Sequence, residues 1–169
     1  MKKLRLVSVI IVLLLFCPFI KQCDGMNKRV EETKANSLKE LKTYFREESE
    51  NVFEIAYGNG KTIIDDFNTD KKNIINDKGF FTFFSISFFS FLLIFSSLLT
   101  LTFSFLGNFS KIRLFTISNI VFILTIVIIF YFSGFLERFG QIKIGFYLLL
   151  LSNFYILYLS KQKKEQIQY

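Results

Sequence analysis

The chain has 169 residues, of which 51% are hydrophobic and 18% aromatic, and it carries a formal net charge of +7. That much apolar surface exceeds what a soluble domain of this size can hide, so much of the chain is expected to face lipid. With no His, one Pro and only two Cys, it has no means for His-dependent catalysis, a disulfide framework or a four-Cys zinc site.

Met1-Lys2-Lys3-Leu4-Arg5 followed by an apolar run from Leu6 to Ile20 has the basic start and apolar middle of an export segment. Residues 1–25 therefore read either as a signal peptide or as a first transmembrane helix. Cys23 and Gly25 place small residues where a cleavage site needs them, but Lys21 and Gln22 suit that site poorly, and retention as a helix is the favoured alternative. Gln22 before Cys23 and Phe16 before Cys17 both argue against a lipoprotein, which needs a small residue in front of the modified Cys.

Residues 26–79 are polar, with acids and bases close to balance, and read as a short water-exposed segment. Within them Leu38, Leu41, Phe45, Val52 and Ile55 fall on one stripe of a helix, interrupted by Glu48, which predicts an amphipathic helix over about 30–57. The stripe is too brief for a coiled coil, so these five residues are candidates for contact with a partner, a hairpin or the membrane surface. Gly58-Asn59-Gly60 is expected to end the helix, and Lys61 to Gly79 to form a turn-rich connector without a core of its own.

Three apolar blocks follow, Phe80 to Leu106, Leu114 to Phe135 and Ile144 to about residue 160, and none contains Asp, Glu, Lys or Arg. A helix needs about 20 apolar residues to cross a bilayer, and in lipid only a helix or a closed barrel pairs every backbone amide. The expected fold class is thus all-α integral membrane, with three C-terminal transmembrane helices, the N-terminal export segment and a basic tail over 161–169. Lys111 and Arg113 lie between the first two blocks, and Lys161, Lys163 and Lys164 follow the third. The positive-inside rule puts both on the cytoplasmic face and residues 26–79 outside, in agreement with the basic N-terminus. The net positive charge is then a flanking effect, and nucleic acid is not an expected partner.

Several motifs are weaker than they look. Gly58-Asn59-Gly60-Lys61-Thr62 resembles the end of a phosphate-binding loop, but Ile55 stands where the first Gly belongs. Asp66, Asn68, Asp70 and Asp77 match oxygen-ligand positions of a calcium loop, yet Lys71 replaces its turn-forming Gly and Asp77 its bidentate Glu. Asn108-Phe109-Ser110 is a glycosylation sequon on the side assigned to the cytoplasm. Glu137-Arg138, between Gly134 and Gly140, reads as an interfacial pair beyond the end of a helix.

Ser90, Ser97 and Ser104 recur every seven residues on the first span and are the candidate helix-packing residues; a pore lining is the functional alternative. Asn119 and Asn153, the costliest to leave unpaired in lipid, are read as lying near membrane ends. The spans hold no acid–base pair and no activated nucleophile, so no enzymatic role and no cofactor or metal is expected. What remains is an accessory or interaction subunit in a membrane complex, using the 38–55 stripe or self-association, with a homo-oligomeric channel or small transporter component as the alternative. The Phe, Ile, Lys and Asn bias points to an AT-rich, bacterial source and its cytoplasmic membrane.

Overall fold

A chain that is one-half apolar and free of charge across three long blocks has one economical way to pair its backbone in lipid, and that is a helix in each block. The computed structural model describes residues 2–20, 50–69, 78–134, 136 and 141–167. Its helices are α1 (Lys2–Leu14), α2 (Val52–Thr69), α3 (Lys78–Leu106), α4 (Phe109–Phe132) and α5 (Ile144–Ile167). Three stretches within them are long and apolar enough to cross a membrane: Phe80–Leu106, Phe109–Phe132 and Ile144–Gln162. The protein is therefore helical, with a membrane-integral C-terminal half, and the only β pairings among the described residues are the isolated bridges of Ile20 with Glu50 and with Ile142.

The helices close into a ring. α4 packs on α3 and α5, and α1 packs on the same two helices from the other side. The Arg5 guanidinium reaches Phe105 O near the end of α3, whereas Val52 N–H, at the start of α2, donates to Leu15 O just past the end of α1. α1 therefore runs antiparallel to α3. α2 leans on the N-terminal half of α3, where the Ser87 hydroxyl donates to Ala56 O at 2.8 Å. Ile11 from α1 and Leu15 just beyond it, Leu93 from α3, Ile123 and Ile126 from α4 and Leu149 from α5 meet in a fully buried core. The opposite faces carry many aromatic residues: Phe81, Phe84, Phe88, Phe91 and Phe95 form an exposed strip on α3, with the Phe84 and Phe88 rings stacked 6.1 Å apart. An apolar exterior around a partly polar interior is the inverse of a soluble bundle and suits a lipid surround.

The link between α3 and α4 is only Gly107-Asn108. Gly107 has φ 74°, the left-handed conformation that ends a helix with least strain when no Cβ is present. Asn108 N–H returns to Phe103 O at 3.2 Å, completing a Schellman-type end, and the Asn108 side chain then accepts from Lys111 N–H to begin α4. One residue ends a helix and the next starts its antiparallel neighbour.

Five expected boundaries differ. Of the helix expected over about 30–57, residues 30–49 lie outside the described residues, and the described part begins at Val52, where Asn51 starts a helix: its Oδ1 accepts from Phe53 N–H and Glu54 N–H, and Glu54 Oε2 accepts from Asn51 N–H in return. α2 then continues through Gly58-Asn59-Gly60 to Thr69, so these residues do not terminate it and 61–69 is not a loop. Two glycines cost a helix roughly 1 kcal/mol each. Packing on α3 offsets this, and a Cβ at Gly60 would lie only 3.3 Å from the Ser87 hydroxyl, so the small residue allows the close approach. α4 begins at Phe109, not Leu114, which puts Lys111 and Arg113 inside its first turns, with the Lys111 ammonium 4.8 Å from the Phe103 ring centre. It ends at Phe132, not Phe135, and Gly134 at φ 76° takes the left-handed position beyond it. α5 extends through Lys161 to Ile167, so most of the expected tail is helical.

Candidate functional site

The polar groups that a lipid-embedded bundle encloses are where its chemistry or its specificity must reside. Two such features lie between the helices. The first joins three of them at mid-bundle. The Ser96 hydroxyl of α3 donates to Asn119 Oδ1 of α4 and also lies 3.3 Å from Phe115 O. Asn119 Nδ2 donates to Asn153 Oδ1 of α5 at 3.2 Å, and Asn153 Nδ2 donates to Leu149 O at 2.8 Å. Asn119 and Asn153 are both fully buried. Their expected position near membrane ends does not hold: with α4 starting at Phe109 and the α5 span running from Ile144 to Gln162, both lie well inside, and one bond joins them while Ser96 and Leu149 O satisfy their other groups.

The second feature is the column Ser90, Ser97 and Ser104 on the inward side of α3. All three are fully buried, and among the described residues their hydroxyls have no hydrogen-bond partner. Thr100, on the same helix, returns its hydroxyl to Ser96 O, and Ser8 of α1 and Thr116 of α4 likewise bond within their own helices to Leu4 O and Ile112 O. The small side chains let backbones approach where branched ones would hold them apart. The structure thus encloses the column inside one chain, whereas a pore shared between copies would need it on an outer face.

The stripe assigned to a partner is divided. Leu38, Leu41 and Phe45 lie outside the described residues. Val52 and Ile55 are 0% and 1% exposed, packed into this chain's own core, so neither is available to a second protein. Phe53, on the same turn, stacks on Phe16 with ring centres 4.5 Å apart. The glycine-rich stretch at Gly58 sits inside α2, where consecutive helical bonds leave no cradle of free amides for a phosphate. The calcium-loop template fares similarly: its first positions, Asp66 and Asn68, are helical where the template turns, and Asp70 and Asp77 lie outside the described residues, as do Cys23, Glu137, Arg138 and Gly140. Among the described residues no group of three His, Cys, Asp or Glu is placed to hold a metal ion.

Basic residues from separate parts of the sequence gather at one end of the bundle, while the other end carries both signs, with Glu50, Glu54 and Lys143. The start of α1, the end of α3, the start of α4 and the end of α5 share one end, which gathers Lys2, Lys3, Arg5, Lys111, Arg113 and Lys161 from three distant parts of the sequence. Arg5 is the most engaged: Nη2 donates to Phe105 O at 3.2 Å, its guanidinium lies 5.3 Å from the Phe105 ring centre, and its Nε is enclosed. A cation against the last carbonyls of α3 is stabilised by that helix's dipole. In the sequence Arg5 reads as part of an export signal and of the basic N-terminal flank, and its spacing before the apolar run gives no hint of the α3 contact.

The class these features define is a helical, membrane-integral protein whose buried polar groups join helix to helix. Compared with family models, with curated proteins and with solved structures, the chain matches none.

Proposed function

We propose that this chain is a non-enzymatic accessory or interaction subunit of a membrane complex, set in a bacterial cytoplasmic membrane with its basic end in the cytoplasm and residues 26–79 outside. The observation that carries this reading is how the buried polar groups are spent. Ser96, Asn119 and Asn153 bond across three helices, and the Ser90 to Ser104 column is sealed at zero exposure, so among the described residues the polar interior serves assembly of the bundle and presents no open site. The orientation draws on the six bases at one end of the ring.

The part of the stripe left for a partner is Leu38, Leu41 and Phe45, since Val52 and Ile55 are already covered. Cross-linking in cells, followed by mild-detergent extraction and affinity isolation through a C-terminal tag, is expected to recover a discrete foreign protein linked through residues 38–45. Leu41→Asp is expected to release that protein without altering membrane insertion. Recovery of self-linked species alone, unaffected by Leu41→Asp, would discard the accessory reading. The alternative, a homo-oligomeric channel or small transporter component, draws on the three unpartnered hydroxyls of Ser90, Ser97 and Ser104. It requires the ring to open, and tracer flux in liposomes would reveal it.

Orientation has its own test. In a background lacking Cys17 and Cys23, an impermeant thiol reagent applied to intact cells is expected to label Gln141→Cys and to spare Ser110→Cys, which leaves the cap residue Asn108 intact. Labelling in the reverse pattern inverts the topology.

A further inference from the structure

An export signal that is removed leaves no imprint on the protein that remains, whereas this bundle is shaped around residues 2–20. Leu4, Val7, Ile11, Leu15, Phe19 and Ile20 are all buried, none more than 7% exposed. The chain beyond Leu14 turns through Cys17, and Pro18 to Ile20 then lies extended between two other segments. Ile20 and Glu50 exchange backbone bonds, Lys143 N–H donates to Phe19 O at 3.0 Å, and Gly145 N–H donates to Pro18 O at 3.1 Å. Removing residues 1–25 would strip acceptors from the amides of Glu50, Val52, Lys143 and Gly145 together, and would remove the helix that spans the gap between α3 and α5.

Gly145 carries the argument furthest. It sits in the first turn of α5, and a Cβ built there would lie 2.3 Å from Pro18 O and 3.1 Å from Cys17 Cβ. The approach is backbone to backbone and cannot be relieved by swinging a side chain. A glycine is needed at that position only if Pro18 is present in the finished protein.

We infer that the N-terminal segment is not removed: residues 2–20 form the fourth membrane-embedded element of the mature protein, locked by Pro18 seated in the notch at Gly145. α1 alone is about 20 Å long at 1.5 Å per residue. With the turn and the extended run to Ile20, it reaches roughly the 30 Å of a hydrocarbon core, so the segment is long enough to cross beside α3.

Two measurements on the full chain, purified from membranes through a C-terminal tag, decide this. Intact mass is expected to show an N-terminus at Met1 or Lys2; a species beginning beyond Ile20 overturns the inference. In the same protein, Gly145→Val is expected to lower the folded-to-unfolded ratio in mild detergent by about tenfold or more, because branched carbon is driven into the Pro18 carbonyl. A full-length protein indifferent to Gly145→Val would show that the segment is kept but not seated there, which also overturns it. Leu151→Val, on the exposed face of α5, is the control and is expected to be silent.

Discussion

Ile55→Asp is expected to destabilise the folded protein by roughly 3–5 kcal/mol, enough to detach α2 from the bundle. Ile55 is 1% exposed and lies in the same core as Val52 and Leu15, and among the described residues none in that core bears a charge. The substitution deletes the buried sec-butyl side chain and places a carboxyl among apolar neighbours, where it must either remain ionised at great cost or take up a proton. The readout is unfolding of α2 followed by protease sensitivity between residues 50 and 69 in detergent, together with the loss of thermal stability. Wild-type stability in Ile55→Asp would show that α2 does not dock through this face. The contrast with Leu41→Asp is the useful part. On the sequence both positions belong to one stripe, yet the first should unfold the protein and the second only free a partner.

That division shows what periodicity can and cannot convey. Spacing correctly marks Val52 and Ile55 as one apolar face, but it does not say what covers the face, because a partner and the chain's own third helix leave the same pattern. The three apolar blocks were legible because hydrocarbon imposes a long charge-free run that few other settings require. Their ends were less so. Lys111 and Arg113 look like loop residues by charge, but a long cationic side chain can stay helical near a membrane surface, and Lys111 does so by lying over Phe103. The Gly58-Asn59-Gly60 run misleads for a related reason: propensity is a local quantity, and the glycines are accepted where α2 must pass close to Ser87. Asn51 and Glu54, by contrast, carry a readable capping box that announces the start of α2, and the apolar stripe across it obscured the signal. Gly145 could not have been read at all, since its significance lies in a contact with Pro18, more than a hundred residues earlier in the chain.

Lipid changes what a polar residue is worth, and the mid-bundle amides show it. Between helices in hydrocarbon there is no gain from removing apolar surface from water, so close packing and interhelical hydrogen bonds must fix which helices meet and in what register. The Leu, Ile and Phe that dominate α4 and α5 are almost interchangeable in this respect. Asn119 and Asn153 are not, because each presents a donor and an acceptor that can be satisfied at one relative height of the two helices. Arg5 sets the height of α1 against α3 in a similar manner, by reaching Phe105 O from one side.

Asn119→Leu is accordingly expected to cost about 1–3 kcal/mol, since it leaves Asn153 Oδ1 buried without its donor and takes from Ser96 its side-chain acceptor, with only the 3.3 Å approach to Phe115 O remaining. Asn153→Leu should cost a similar amount, for it orphans Asn119 Nδ2. The double variant is the informative one. If the two amides act on each other, removing both avoids the orphaned groups, and the loss falls short of the sum of the single losses by about 0.6 kcal/mol and at most about 1.7, the span measured for interhelical hydrogen bonds in membranes. Reversible unfolding of the full chain in mixed micelles would give the three values. Strict additivity would mean that the amides find separate partners and that the α4–α5 register is set by packing alone. A coupling of the expected size would identify the Asn119–Asn153 bond as the feature that selects one register of α4 against α5 among the many that equally apolar helices could adopt.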